Sequence, residues 1–145
     1  MTSWGADLDA SRALAKSLDV NEQIIWISPL SRLNMIEMLQ ACDVVLDQTI
    51  LPCFGSTAPQ ALACGTPTIM SYKPETTAWI IKEPAPLLQA MEPPGIAACV
   101  KQALDPDWLN AFKQEAAIWI DTYHSVPVAL HQQLGVYKQI LEEVV

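Results

Sequence analysis

The sequence predicts an α/β fold of three layers, in which helices lie on both faces of a short, mainly parallel sheet of about four strands and helices form the C-terminal part. Short apolar runs alternate along the chain with amphipathic segments of helical periodicity. Each run is apolar throughout, which is typical of parallel strands that helices cover on both faces. With 145 residues, 51% hydrophobic and 17% charged, the chain can bury a core. We expect residues 1–145 to form a single domain.

The N-terminal part alternates helices and strands. Residues 6–18 have the apolar spacing of an amphipathic helix, and the run QIIWIS at 23–28 predicts a buried strand. Asn34 followed by Glu37 resembles a capping box, which predicts that a second helix starts there. The run DVVLDQ at 43–48 predicts the next buried strand.

The middle of the chain continues this alternation. A short helix is predicted at 57–64, and Gly65 is expected to end it in a left-handed conformation. The run TPTIMSY at 66–72 predicts a third strand. Residues 73–81 suit a short helix, while residues 85–91 fit either a fourth short strand or an irregular extended piece.

Helical signals dominate the C-terminal part. Asp105 followed by Pro106 predicts a helix N-terminus, because Asp is a good N-cap and Pro suits the first helical position. The stripe of this helix is formed by Trp108, Phe112, Ala116, Trp119 and Tyr123. The last helix follows Ser125, and its apolar stripe is formed by Leu130, Leu134, Tyr137, Leu141 and Val144.

Composition excludes several classes of function. The formal net charge of −8 argues against nucleic-acid binding, which requires a basic surface. No apolar run approaches the roughly 18 residues of a membrane span, and no signal peptide is visible, so we expect a cytoplasmic chain without a transmembrane segment. The cysteines lack CxxC spacing and sit among apolar neighbours, so we expect them to be reduced and close to the core, and we expect neither a metal nor a cofactor. They are Cys42, Cys53, Cys64 and Cys99.

The segment LPCFGSTAPQALACGTPTIMSY at 51–72 has the pattern of a ligand site. Ligands of parallel sheets bind beyond the carboxyl ends of the strands, and a glycine-containing loop here joins a strand to a helix. The first amides of that helix lack partners within it, so Phe54, Gly55, Ser56 and Thr57 form a candidate phosphate site. A purely structural strand–turn–helix unit explains the same residues, and both interpretations stay open.

The segment ACDVVLDQTILPCFGSTAPQALACGTPTIMSY at 41–72 resembles the signature of group 1 nucleotide-sugar glycosyltransferases with the GT-B fold. In that family an aDv strand leads to a loop, then to E-x-FG, EAmAcGtPvi and a strand. The flanking segment at 12–43 is similar to the family as well, and HSVPVALHQQLGVYKQIL at 124–141 resembles its closing helix. The resemblance covers residues from about 5 to 142 and implies a Rossmann-like, donor-binding domain.

The resemblance implies that the chain binds a UDP- or GDP-linked sugar weakly, with the donor phosphates at residues 54–57 and the donor ribose at Gln60. The family has a pair of glutamates around this loop, which here fall on Pro52 and Gln60. Pro52 cannot replace a carboxylate, and Gln60 keeps hydrogen-bonding capacity without the charge. Trp79 is a candidate for stacking against the sugar. No residue is identified as catalytic.

The resemblance also implies that the first strand–helix units of the donor-binding domain and the family's whole N-terminal domain are missing. The chain would then be a truncated donor-binding portion that is inactive alone. The alternatives are a degenerate relative that binds a nucleotide or a sugar phosphate without turnover, and a dimerising module.

Assembly follows from the same expectation. Exposed apolar helix faces and an unprotected edge at strand 23–28 predict a homodimer, formed across that edge or through the last helices. The alternatives are a monomer, in which strand 23–28 pairs directly with strand 43–48, and a complex with the missing N-terminal domain.

Overall fold

The computed structural model describes the backbone of residues 1–144 and the side chains of residues 1–143. Two compact units are present, of which one is Met1–Glu37 and the other begins at Met38. Short 3₁₀ turns occur at Asn21–Gln23 and Pro74–Thr76. The helices and strands are α1 (Leu8–Ser17), α2 (Arg32–Ala41), β1 (Val45–Leu46), α3 (Thr57–Ala63), β2 (Thr68–Met70), β3 (Leu88–Gln89), α4 (Pro93–Ala103), α5 (Pro106–His124) and α6 (Val126–Val144).

The predicted strand at 23–28 is wrong. Ile27 forms an isolated parallel bridge with Thr2, in which the Ile27 N–H donates to the Met1 carbonyl and the Ser3 N–H donates to the Ile27 carbonyl, both at 2.8 Å. Ile25, at the centre of the run, is 77% exposed. The run has the composition of a buried strand, but a strand also needs a ladder of backbone partners, and here the bridge is a single residue long.

The sheet lies in the second unit and is parallel, with the strand order β1-β2-β3. Val45 pairs with Thr68, and Ile69 pairs with Leu88. The α/β class, the short parallel sheet and the helical C-terminus are therefore confirmed. Within residues 1–144 the sheet has three strands rather than about four, because the segment at 23–28 contributes none.

Strand β2 supplies both faces of the core. Successive side chains of a strand point to opposite faces, so Met70 and Ile69 enter different clusters. Helices α3 and α5 pack on the first face and α4 packs on the second, which confirms helices on both sides of the sheet. The first cluster contains Ala58, Leu62, Met70, Tyr72, Ile81, Ala85, Phe112, Ala116 and Trp119. The second contains Ile69, Leu88, Ala90 and Ala103.

Helix starts follow local side-chain chemistry. The Asp105 carboxylate accepts the Trp108 N–H at 2.9 Å, which confirms the predicted N-cap of α5. The predicted capping box at Asn34 is wrong, because the Ser31 hydroxyl accepts the Asn34 N–H at 3.2 Å. Asn34 thus lies within the first turn of α2, and Ser31 occupies the capping position.

Helix α6 follows α5 directly, but its residues 129–143 are all exposed, and its apolar stripe is therefore exposed as well. Leu130, Leu134, Tyr137 and Leu141 are between 52% and 67% exposed. The side chain of Val144, the last residue of the predicted stripe, lies outside the described residues. No helix within residues 1–144 has both the length and the apolar composition that crossing a membrane requires.

Gly65 ends α3 as predicted. Its φ of +72° lies in the left-handed region. Its N–H donates to the Leu62 carbonyl and the Thr66 N–H donates to the Ala61 carbonyl, both at 2.9 Å. These bonds satisfy carbonyls that the helix end would otherwise leave without a partner.

We expect Gly65→Ala to lower the free energy of unfolding by about 1–2 kcal/mol, because a Cβ is strained in the left-handed conformation. The added Cβ would lie 3.4 Å from Cγ of Lys113, which is flexible, so the strain is in the backbone. Gly135→Ala is the matched control: nothing lies within 4 Å of its Cβ, and alanine in a helix interior should raise stability by up to about 1 kcal/mol. Urea denaturation followed by circular dichroism measures both. Equal midpoints for Gly65→Ala and the unmodified chain would contradict this account.

Candidate functional site

The candidate site is the loop that joins the carboxyl end of β1 to the start of α3. Phe54, Gly55 and Ser56 lie in the loop, Thr57 opens α3, and Gln60 lies within the helix. The chain leaves β1 beside β2, because the Asp47 N–H donates to the Ile69 carbonyl at 3.0 Å. The loop therefore starts at the sheet edge where ligands of parallel α/β folds bind.

Gln48 ties the loop to the end of the sheet. Its carbonyl accepts the Ser71 N–H at 2.9 Å, so its backbone is paired with the chain that continues β2. Its Nε2 donates to the Cys53 carbonyl at 2.6 Å and lies 3.1 Å from the Cys53 Sγ. The sequence placed Gln48 at the rim of the sheet, after a strand, but indicated no role for its side chain. The available signal was a carboxamide at the last position of an apolar run.

Phe54 anchors the loop from the other side. Its half-buried ring lies 5.8 Å from Tyr72, 5.6 Å from Trp119 and 5.9 Å from His124, measured between ring centroids. The Tyr72 and Thr77 hydroxyl oxygens are 2.7 Å apart and share a hydrogen bond. The Phe54 side chain thus belongs to the apolar cluster, and a ligand would contact its backbone.

Helix α5 holds this aromatic cluster in place. Trp119 donates from Nε1 to the Glu83 carbonyl at 3.0 Å, and the Glu83 N–H donates to the Tyr123 hydroxyl at 3.1 Å. Trp119 also packs 5.0 Å from the His124 ring. Because these partners are far apart in sequence, the pattern of apolar residues alone did not indicate that α5 supports the loop.

Gly55 is not required by the local backbone. It lies outside the left-handed region, and a Cβ built there would meet Nε2 of Gln48 at 3.6 Å, an ordinary contact. Ser56 is exposed and makes no cap hydrogen bond from its side chain. Thr57 and Gln60 are half-buried. An alanine would therefore fit at position 55.

Two further residues concern the candidate site: Asp47, which directly follows β1, and Trp79, which the sequence suggested as a sugar contact. Oδ2 of Asp47 is shielded from solvent and has no hydrogen-bond partner among the described residues, a state that costs about 1–3 kcal/mol. Trp79 lies in the turn that follows Pro74–Thr76 and is 83% exposed, so its ring is open to a ligand.

The four cysteines were predicted to lie close to the core, and two of them do not. Cys42 and Cys53 are exposed, while Cys64 and Cys99 are half-buried; all four are free thiols. Burial raises the pKa of the Cys64 thiol. Residues 1–143 hold no group of three His, Cys, Asp or Glu side chains with the arrangement of a metal site.

Comparison with known proteins identifies the family. The model for the glycosyl transferases of group 1 matches residues 5–91, a range that includes the whole loop. The chain therefore belongs to the group 1 glycosyltransferases.

Curated relatives agree with this assignment. A D-inositol 3-phosphate glycosyltransferase of Acidothermus cellulolyticus is 29% identical over 140 residues, which are 91% of this chain and 30% of that enzyme. Enzymes of the same name from Mycobacterium sp. (strain KMS) and Mycolicibacterium vanbaalenii are 35% and 36% identical over 57 and 56 residues, in each case 39% of this chain and 13% and 12% of the enzyme. The chain thus spans less than a third of the length of these relatives.

The pH dependence of stability should reflect His124. Packing against Phe54 and Trp119 desolvates the imidazole and lowers its pKa below the ordinary 6.5, although the residue as a whole is exposed. The folded chain then binds this proton less readily than the unfolded chain, so the free energy of unfolding falls as the pH drops below about 6.5.

We expect His124→Gln to reduce this loss of stability, measured by urea denaturation between neutral pH and about pH 5. His131→Gln, on α6, is the control for the removal of one imidazole. The prediction fails if the two variants reduce the slope of stability against pH equally.

Proposed function

We propose that this chain is the donor-binding side of a group 1 glycosyltransferase with the GT-B fold. The backbone and hydroxyls of residues 54–57 would hold the diphosphate of a UDP- or GDP-linked sugar, Gln60 would contact the ribose, and Trp79 would stack on the sugar. The observation that carries the proposal is the family match over residues 5–91, which includes a loop at the carboxyl end of β1. Residues 1–145 serve here as a single functional module.

The chemistry of the loop supports a phosphate ligand. Gly55 has no side chain to hinder an approaching phosphate, and alanine would fit at this position without strain. The exposed Ser56 hydroxyl makes no cap hydrogen bond and can donate to a phosphate oxygen. Because α3 has only seven residues, amide and hydroxyl donors matter more here than the helix dipole.

The residues at positions 60 and 52 favour the proposal that the chain binds the donor weakly and does not transfer the sugar by itself. A carboxylate that accepts from both ribose hydroxyls forms charge-assisted bonds, which are stronger than those of a neutral carboxamide. Pro52 offers no side-chain donor or acceptor in place of the family's other glutamate. Catalysis in this family also needs a cleft with a second domain, so we propose that residues 1–145 by themselves have no transferase activity.

A second candidate is a non-catalytic module that binds a nucleotide weakly or serves as a dimerisation unit. The same substitutions at Pro52 and Gln60 favour it, together with the exposed stripe of α6.

The relatives are named for D-inositol 3-phosphate, which is therefore the first acceptor to test. The proposal places the chain in the cytoplasm, where its four free thiols stay reduced.

We expect millimolar affinity of the chain for UDP or GDP by calorimetry. Gln60→Glu should strengthen binding by up to about tenfold, or ~1.4 kcal/mol, because the ribose bonds become charge-assisted. Gln133→Glu, which adds the same charge on α6, should leave the affinity unchanged. Gly55→Ala should weaken binding while the urea midpoint stays near that of the unmodified chain. Micromolar affinity of the unmodified chain, or unchanged affinity of Gln60→Glu, would overturn the proposed geometry.

The exposed face of helix α6 predicts self-association. Residues 129–143 are all exposed, although six of them are large and apolar, and a helix without a packed face is marginal in water. We expect a homodimer through the α6 stripe, with light scattering at micromolar concentration giving twice the 15.9 kDa of one chain. Leu134→Gln combined with Leu141→Gln should give a monomer, because the two changes remove apolar surface from the proposed interface. The variant should stay folded, because these exposed side chains support no intramolecular core. A 15.9 kDa species from the unmodified chain would rule out the dimer.

A further inference from the structure

Gln48 is the point at which the sheet and the loop meet. Its carbonyl accepts the Ser71 N–H at 2.9 Å, one residue beyond the bond from Asp47 to the Ile69 carbonyl. The backbone of Gln48 is therefore held by the same ladder that joins β1 to β2. Its side chain starts from a fixed position and reaches Cys53 within the loop.

The carboxamide of Gln48 spans the first part of the loop. Nε2 reaches the Cys53 carbonyl at 2.6 Å, a short N–H to O hydrogen bond, and the Cys53 Sγ at 3.1 Å. A Cβ at Gly55 would lie 3.6 Å from the same nitrogen. The amide group thus contacts Cys53, and it lies close to the position that a side chain at residue 55 would occupy.

The Phe54 ring provides the second anchor. It packs among Tyr72, Trp119 and His124, with centroid distances between 5.6 and 5.9 Å. The Cys53 carbonyl and the neighbouring Phe54 ring are consequently held by different parts of the fold, one by the end of β1 and one by the aromatic cluster. Gly55, Ser56 and Thr57 follow directly from this fixed peptide.

From these contacts we infer that Gln48 is a positioning residue: it sets the place of residues 53–57 through Cys53, and it thereby orients the groups that bind the diphosphate. The inference rests on the proposed function for the identity of the ligand. Gln48 itself does not need to touch the ligand. An ordered loop binds more tightly than a mobile one because less conformational entropy is lost on binding.

The test is Gln48→Met, which keeps the length of the side chain and removes its donor. We expect calorimetry to show about five- to tenfold weaker binding of UDP and GDP. This corresponds to the loss of roughly one hydrogen bond that orders the loop. Amide hydrogen exchange of residues 53–57 should become faster, while exchange in β2 and the urea midpoint stay near those of the unmodified chain. Gln133→Met removes the bond from Gln133 to the Tyr137 hydroxyl on α6 and should change neither binding nor loop exchange.

Gln48→Glu is the second variant. This variant is used if Gln48→Met fails to fold, because it keeps the shape and polarity of the side chain. Its carboxylate cannot donate to the Cys53 carbonyl. Its charge also repels a diphosphate, so binding should be weaker than in Gln48→Met.

The outcomes separate this inference from the proposed function. Unchanged binding and unchanged loop exchange in a folded Gln48 variant overturn the inference, and so does faster exchange spread evenly over β1, β2 and the loop. If the unmodified chain binds neither nucleotide at millimolar concentration, the proposed function fails. Loop exchange alone then tests the positioning role: faster exchange confined to residues 53–57 supports it, and equal exchange overturns it.

Discussion

The second unit depends on the burial of β2 between two strands and two layers of helices. Thr68, Ile69 and Met70 are almost completely shielded from solvent, and their backbone groups pair with β1 on one edge and β3 on the other. Because neighbouring side chains point to opposite faces, three residues organise both apolar clusters. The ladder also fixes where β1 ends, and hence where the candidate loop begins.

The loop is held by contacts that the regular elements alone do not provide. Gln48, whose backbone is paired with the sheet, donates a hydrogen bond to the Cys53 carbonyl, and the Phe54 ring packs against Tyr72 and Trp119. Helix α5 contributes to this support although it is more than 50 residues away in sequence from Gly55. A short loop at the rim of a small sheet thus gains rigidity from a long helix, and rigid support is what a binding loop requires.

The residues that maintain the fold and the residues Pro52 and Gln60 lie in different parts of the molecule. Apolar residues at the faces of β2, α3 and α5 maintain the fold through burial. Pro52 and Gln60 are half-buried positions next to the loop, where a change of charge costs the core little. The fold of a group 1 glycosyltransferase can therefore persist while residues beside this loop change, and the family assignment describes the fold more firmly than the activity.

Local patterns in the sequence determined much of the secondary structure. The N-cap at Asp105, the left-handed Gly65 and the stripe of α5 each depend on residues within a few positions, and all were predicted. The prediction of a strand at 23–28 was wrong, because the composition of this run indicates burial but contains no information about a pairing partner. The resemblance to the family located the loop at 54–57, but it indicated neither the role of Gln48 nor the surroundings of Phe54. Those depend on the tertiary structure, since contacts among Phe54, Trp119 and His124 form only when the sheet and α5 have packed and brought distant segments together.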